Sequence, residues 1–503
     1  MKLYTSSETR KIDNLAIRST DCSSFSLMQK AAEFSLNVLL QNWNEIKRVI
    51  IFCGKGNNAG DGYILASLLS DIGKTPILVQ VSKSMNISAA SKRGLRLCKS
   101  KKIRIIGLGA VNNLKITKND VIVDALLGTG LKGNVKGKIL ESIKIINSNK
   151  RKCSILSLDI PSGICSDTGN ELGLSVEANT TATFITKKRG CFTSKGREQS
   201  GKIEFSDLSV SKKIINKIPS RCHLISMERG IRKLTKRNIQ SHKGHFGHVL
   251  VIGGNKGFGG AAILAAKAAL KSGSGLVSLA TLPEHLAPAL GQCPELMVKG
   301  VESGQDLEPY LEEPTVVVIG PGLGKNAWSE QLLQRVFWVS ERRNLCTVMD
   351  ADALNLLSKL RFKSPLPKKL IITPHPGEAA RLLKKSVKEV ENDRFKTVQE
   401  LERKFNAIAV LKGSGTLIGF NKSSKQHIGI CEAGNPGMAS GGMGDVLSGL
   451  IGSFLAQGLN LIESTETAVD IHSKAADIAA MEKGELGLVA SDVINNITHL
   501  LKP

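Results

Sequence analysis

Arg48–Gly62 reads RVIIFCGKGNNAGDG, and it decides the fold. The first six residues are apolar except Arg48, as expected of a strand buried on both faces. The glycine-rich turn that follows leads into a helix-period stretch over Tyr63–Ile72. Further strand-like runs come at Pro76–Val81, Val121–Asp124 and Ile155–Asp159, with another helical pattern at Ile139–Asn147. This βαβ rhythm predicts a parallel sheet covered on both sides. A polar, basic stretch over Ser209–His242 then interrupts it. A second series follows at His248–Ile252, Leu276–Ala280, Val316–Ile319, Thr347–Asp350, Leu370–Thr373 and Ala409–Leu411, with Ala/Gly-rich helices. The expectation is two doubly wound α/β domains, residues 1–215 and 222–503, with the boundary near residue 220.

The 503 residues fit that division, at about 150 residues per domain. With 41% hydrophobic and 22% charged residues, the composition is that of a globular protein. No apolar run is long enough to cross a membrane, and MKLYTSSETRKIDNLAI has no signal-peptide core, so no membrane association is expected. The ten cysteines, Cys22 to Cys431, stand singly without a CxxC pair, which predicts reduced thiols and a cytoplasmic protein. The net charge of +25 is spread over both halves, and only three Trp and three Tyr are present to stack bases. No nucleic-acid partner is expected; a basic surface that attracts anionic nucleotides accounts for the charge.

In doubly wound sheets ligands bind beyond the carboxyl ends of the strands. In the first half those positions are CGKGNNAGDG (Cys53–Gly62), DALLGTGLKGN (Asp124–Asn134) and DIPSG (Asp159–Gly163). Gly54, Gly56 and Gly60 do not form the dinucleotide fingerprint, and no P-loop is present. The Asn side-chain oxygens, the Asp124 carboxylate and the Ser162 hydroxyl are hard ligands that suit an alkali or alkaline-earth cation. In the second half the turns include GPGLG (Gly320–Gly324), DADAL (Asp350–Leu354), TPHPGE (Thr373–Glu378), LKGSGT (Leu411–Thr416) and GNPGMASGGMGD (Gly434–Asp445). The last runs straight into a helix, whose free N–H groups can hold a phosphate, with Asp445 placed as base for a substrate hydroxyl. His375, in a stiff turn between prolines, is expected to bind ligand.

These motifs resemble the bifunctional NAD(P)H-hydrate repair enzymes, an NAD(P)H-hydrate epimerase fused to an ADP-dependent NAD(P)H-hydrate dehydratase. GKGNNAGDG, VDALLGTGLKGN and LDIPSG resemble the epimerase. HKGHFGHVLVIGG, GGAAILAAKAAL, GPGLG, LIITPHPGEAARLL, VLKGSGT and NPGMASGGMGD resemble the dehydratase, so the resemblance spans nearly the whole chain. It implies a Rossmann-like α/β/α first domain and a ribokinase-like α/β/α second one. It assigns the hydrated dinucleotide in the first domain to Asn57, Asn58, Ala59, Gly60 and Asp61, to Gly128, Thr129, Gly130, Leu131, Lys132, Gly133 and Asn134, and to Asp159. Potassium would be held by Asn58, Asp124 and Ser162. In the second domain it assigns the hydrate to Ala261 or Ala262, Gly322, His375 and Asp445. The adenine nucleotide falls to Lys412, Gly413, Ser414, Gly415, Thr416 and Gly444. Ala59 stands where the family has Gly, and Met443 where it has Thr, which takes a hydroxyl from beside the phosphate.

The implied chemistry is repair of a nicotinamide ring that has added water, leaving a hydroxyl at C6. Asp445 would deprotonate that hydroxyl while ADP phosphorylates it with Mg2+; phosphate then leaves, giving NADH or NADPH, AMP and phosphate. The first domain, an isomerase with Asp159 as candidate acid/base, would interconvert the R and S hydrates and feed the S form to this lyase. The partners expected are therefore hydrated NADH or NADPH and ADP, in a homo-oligomer. A ribokinase-like small-molecule kinase fused to a Rossmann-like binding domain is an alternative, and it would need ATP and leave a stable phosphorylated product. A non-enzymatic nucleotide-binding scaffold is a second, and it has no need of cation and proton-transfer groups.

Overall fold

The computed structural model describes residues 1–19, 23–81, 88–234, 237–359 and 364–502. Cys22 and residues 235–236 of the polar stretch lie outside them. The chain divides into two compact units, Lys2–Cys222 and His223–Pro503.

The first unit is built on a seven-stranded sheet of β1 (Arg48–Cys53), β2 (Thr75–Gln80), β3 (Arg104–Gly107), β4 (Asp120–Ala125), β5 (Ser154–Leu158), β6 (Thr180–Phe184) and β7 (Lys202–Ser206). Their order is β3-β2-β1-β4-β5-β6-β7, and every pair is parallel. Strand β1 shows why the sheet needs two covering layers. Val49, Ile51 and Cys53 enter one apolar cluster, while Ile50 and Phe52 enter the other. Helices α1 (Ser6–Ser19) and α2 (Asn57–Asp71) cover the first face. The chain order reverses between β1 and β4, which opens a crevice at their carboxyl ends.

In the second unit β8 (His248–Ile252), β9 (Leu276–Thr281), β10 (Met297–Gly300), β11 (Val316–Ile319), β12 (Cys346–Met349), β13 (Lys369–Ile372) and β14 (Ile408–Leu411) are parallel. An antiparallel hairpin, β15 (Leu417–Lys422) and β16 (Lys425–Ile430), extends the sheet, giving the order β16-β15-β14-β13-β12-β11-β8-β9-β10. Helices α3 (Gly259–Lys271), α4 (Pro376–Leu383) and α5 (Met443–Ala456) accompany it. Helix α5 lies very close to its neighbours: a Cβ on Gly449 would stand 2.1 Å from the Ala265 carbonyl oxygen of α3. One on Gly452 would stand 2.5 Å from Val318 Cγ2 in β11. Both positions need glycine for this approach, and the approach fixes where the start of α5 sits over the sheet.

Candidate active sites

In the first unit the turns after β1 and β4 touch: a Cβ on Gly54 would fall 2.0 Å from the Leu126 carbonyl oxygen. Around them lies a cavity of about 670 Å³. Of the residues expected at the ligand, its wall includes Asn57, Asn58, Asp61, Gly128–Lys132 and Asp159. Ala59 and Gly60 do not belong to it. Both are buried, and a Cβ on Gly60 would meet Met28 Sδ and Ser91 Oγ at 2.5 Å, so they pack the root of α2. Gly133 and Asn134 are also outside the wall.

Asp159, just beyond β5, takes φ 66°, a left-handed conformation that costs a non-glycine residue energy. Its carboxylate Oδ1 accepts from the Lys188 ammonium, which is 1% exposed and is the residue that sequence reasoning missed here. Lys188 also donates to Thr183 Oγ1 at 3.1 Å and to the Phe184 carbonyl at 2.8 Å. Its three N–H donors are thereby committed. Asp61 is pushed well above the usual carboxylate range, by burial first and then by Asp159.

Asp124 is fully enclosed. It accepts from Ser162 Oγ at 2.6 Å, Ser162 N at 2.8 Å, Ser157 Oγ at 2.9 Å and Leu126 N at 3.1 Å. All four donors are neutral, and burial raises its pKa against them. Beside it, Asn58 donates through Nδ2 to the Leu127 and Leu158 carbonyls, at 2.9 and 3.2 Å. Its Oδ1 is buried without a hydrogen-bond donor. A buried carboxylate with only neutral partners and an orphaned amide oxygen are groups that a monovalent cation would satisfy. The residues therefore fit potassium.

In the second unit Gly442 begins α5 in the left-handed region, φ 87°, where a Cβ would strike Leu264 Cδ1 at 2.7 Å. Asp445 follows in the first turn. A Cβ on Gly444 would stand 3.1 Å from Lys412 Nζ and 3.4 Å from Asp350 Oδ2, so the ends of β12, β14 and α5 converge there. Lys412 donates to Asp350 Oδ1 at 2.8 Å. Burial acts to lower the Lys412 ammonium, but Asp350, Glu378 and Asp445 outweigh it and leave the pKa raised. Asp445 is pushed up to about 7, by burial first and then Asp350, against the pull of Lys412. Glu378 is likewise carried to about 7, mainly by burial. Lys412, expected at the nucleotide, thus belongs also to the cluster around Asp445.

His375 caps α4. Its Nδ1 accepts from Gly377 N at 3.0 Å, and its own N–H donates to Glu378 Oε2 at 2.8 Å. The ring is half-exposed, and burial, Lys412 and Arg381 lower its pKa. Gly322, at φ 58°, has its Cβ position 3.2 Å from Ala261 Cβ, which brings those two expected contacts together. Ala262 is 0% exposed and lies in the apolar core, so of the two alanines Ala261 is the one that can face a ligand. Met443 is 5% exposed and also faces that core. The Met443 side chain therefore packs into the interior. Arg394, 2% exposed, donates to the Leu411 and Lys412 carbonyls at 3.2 and 3.3 Å and braces the turn that carries Lys412.

The NAD(P)H-hydrate dehydratase family matches residues 249–499, and the YjeF-related protein N-terminus family matches residues 24–190. A bifunctional NAD(P)H-hydrate repair enzyme of Coxiella burnetii is 42% identical over 502 residues, covering 100% of this chain and 99% of that one. Its Escherichia coli counterpart is 37% identical over 481 residues, 95% and 90% of the two chains. Among solved structures, a hypothetical protein of Streptococcus mutans aligns with a TM-score of 0.50 at 31% identity, covering 56% of this chain and 98% of its own. Both units are doubly wound α/β folds, and the first has the Rossmann-like strand order β3-β2-β1-β4-β5-β6-β7. With two site clusters at the carboxyl ends of two parallel sheets, and relatives that match along its whole length, the chain belongs to the family of bifunctional NAD(P)H-hydrate repair enzymes.

Proposed function

We propose that the second unit dehydrates the S hydrate of NADH or NADPH at the expense of ADP, and that the first interconverts the R and S hydrates. The observation that carries this is Asp445: a carboxyl poised near 7 at the start of α5, beside Lys412 and the helix N–H groups. A base that titrates near the working pH suits removal of a proton from a hydroxyl. The substrate hydroxyl would lie against Asp445, with Gly322, Ala261 and His375 around the dinucleotide. Lys412 and the Gly444 N–H would hold the phosphate, and Gly413–Thr416 the rest of the adenine nucleotide. No group of three His, Cys, Asp or Glu side chains placed to hold a metal ion occurs among the described residues, so Mg2+ would be held mainly by the nucleotide phosphates. When bound it neutralises phosphate charge.

In the first unit Asn58, Asp124 and Ser162 would hold potassium, which supplies the positive charge that the enclosed Asp124 lacks. Asp159 and Lys188 would face the hydrated ring. The two activities are assigned to residues 1–215 and 222–503, in a cytoplasmic protein that assembles as a homo-oligomer. The test is to add ADP to purified protein with hydrated NADH and follow the near-ultraviolet absorbance of the reduced nicotinamide. Return of that absorbance, with AMP and phosphate in equal amounts, is expected. A stable phosphorylated product formed from ATP alone would instead indicate a kinase.

A further inference from the structure

Helix α1 is not part of any motif that the sequence reading singled out, yet it closes one side of the first cavity. Thr9, Arg10, Asp13 and Ile17 line the wall from it, a stripe with the spacing of one helix face. Asp13 Oδ1 is enclosed and has no hydrogen-bond donor. Lys188 cannot supply one, because its three N–H groups are committed to Asp159, Thr183 and Phe184. A buried acceptor left unsatisfied at the wall of a cavity is costly unless a ligand satisfies it.

We propose that Asp13 is the second proton-transferring carboxyl of the epimerase, working with Asp159 in the wall of the same cavity. This rests on the epimerase reading given above. In one direction the Asp13 carboxylic acid gives its proton to the C6 hydroxyl of the hydrate. The C6–O bond breaks, water departs, and the ring-nitrogen lone pair forms the N1=C6 bond of an iminium ion. Water then forms a C6–O bond on the opposite face, the N1=C6 electron pair returns to nitrogen, and the proton lost by the water goes to Asp159. The atoms balance with the one water that left, and no oxidant or reductant is needed. The opposite epimer runs the same steps with the two carboxyls exchanged, and both re-equilibrate with solvent between turnovers.

The environment suits this role. Burial, with Asp159 adding to it, pushes Asp13 up to about 6, against the pull of Lys188 and Arg10. Asp61 is the remaining charged group that faces it. An acid near 6 holds its proton often enough to give it and releases it readily enough to take it back.

The experiment uses the full chain without ADP, starting from pure R hydrate and following the S hydrate by chromatography. Asp13→Asn is expected to lower kcat at least about a hundredfold while KM stays within about threefold, and to remove the limb of the wild-type pH profile near 6. Asp13→Glu, which keeps a carboxyl, is expected to restore part of the rate. ADP-dependent dehydration of S hydrate by the other unit should be unchanged, which confines the effect to the first unit, and a urea unfolding curve of Asp13→Asn that keeps the wild-type transitions shows that this unit is folded. If wild type leaves the R hydrate untouched, the epimerase reading fails and takes this proposal with it. If wild type epimerises and Asp13→Asn matches it across pH 5–8, Asp13 is not the proton carrier. Should Asp13→Asn fail to fold, the wild-type profile decides: no limb near 6 overturns the proposal.

Discussion

Replacing Asp445 by Asn tests the dehydratase site on two independent scales. Asn keeps the shape and most hydrogen bonds of Asp but cannot take a proton. Loss of a positioned base costs about 10²–10⁴ in rate, or about 3–5 kcal/mol. The same change should stabilise the fold. A carboxyl whose pKa goes from 3.8 unfolded to about 7 folded is disfavoured in its charged form by up to about 4 kcal/mol. The sign follows from the direction: the folded state holds the proton longer, so the wild type loses this stability as pH rises from about 4 to about 7. Asn has no such loss. Urea unfolding should therefore show Asp445→Asn more stable than wild type, with the gap wider at pH 8 than at pH 5 by about 2–3 kcal/mol. Steady-state dehydration of the S hydrate with ADP supplies the rate, and wild-type kcat should fall as pH drops below about 7. A variant that dehydrates within tenfold of wild type, or a stability gap that is flat in pH, would refute the argument.

Three further outcomes follow from the geometry. Asp124→Ala should abolish any acceleration of epimerisation by potassium over a bulky organic cation at matched ionic strength; a retained response would place the cation elsewhere. Met443→Thr should cost about 1–3 kcal/mol of stability, read by urea unfolding, while ADP-dependent dehydration persists, because the side chain fills the core and leaves the phosphate side alone. Fragments 1–215 and 222–503, expressed separately, should each keep one activity, and equal clearance of both epimers by the second fragment would refute the division of labour.

Much of the fold was legible because its central strands are unbroken apolar runs. Arg48–Cys53, His248–Ile252 and Val316–Ile319 have the bounds their sequences suggested. Two of the missed stretches were hidden by local polar chemistry. Thr180–Phe184 is threonine-rich yet buried, because Thr181 donates to the Ser200 carbonyl at 2.7 Å and Thr183 pairs with Lys188. The hairpin after β14 turns on Ser423 and Ser424, at φ 52° and 57°, where a reader looks for Asn-Gly. In the sites, the glycine turns and Asp445 could be read because strand, turn and helix are contiguous in sequence. Lys188, Arg394 and Asp13 could not. Each reaches its site from a distant segment, and a single Lys, Arg or Asp in a basic chain carries no mark of burial. Asp350 and Glu378 stood inside quoted turns, but only the meeting of β12, α4 and α5 around Lys412 shows that they share one electrostatic environment.

The close seat of α5 on Ala265 and Val318 bears on how such an enzyme could be altered. A helix without room for one methyl group cannot slide, so Asp445 at its start is a fixed reference point for whatever enters. Substitutions at Gly449 or Gly452 would look, in an activity screen, like damage to substrate contacts, although neither glycine needs to touch the substrate. Variation meant to change which hydrate is accepted is better directed to the cavity walls than to this helix, whose sequence records a packing constraint as much as a chemical one.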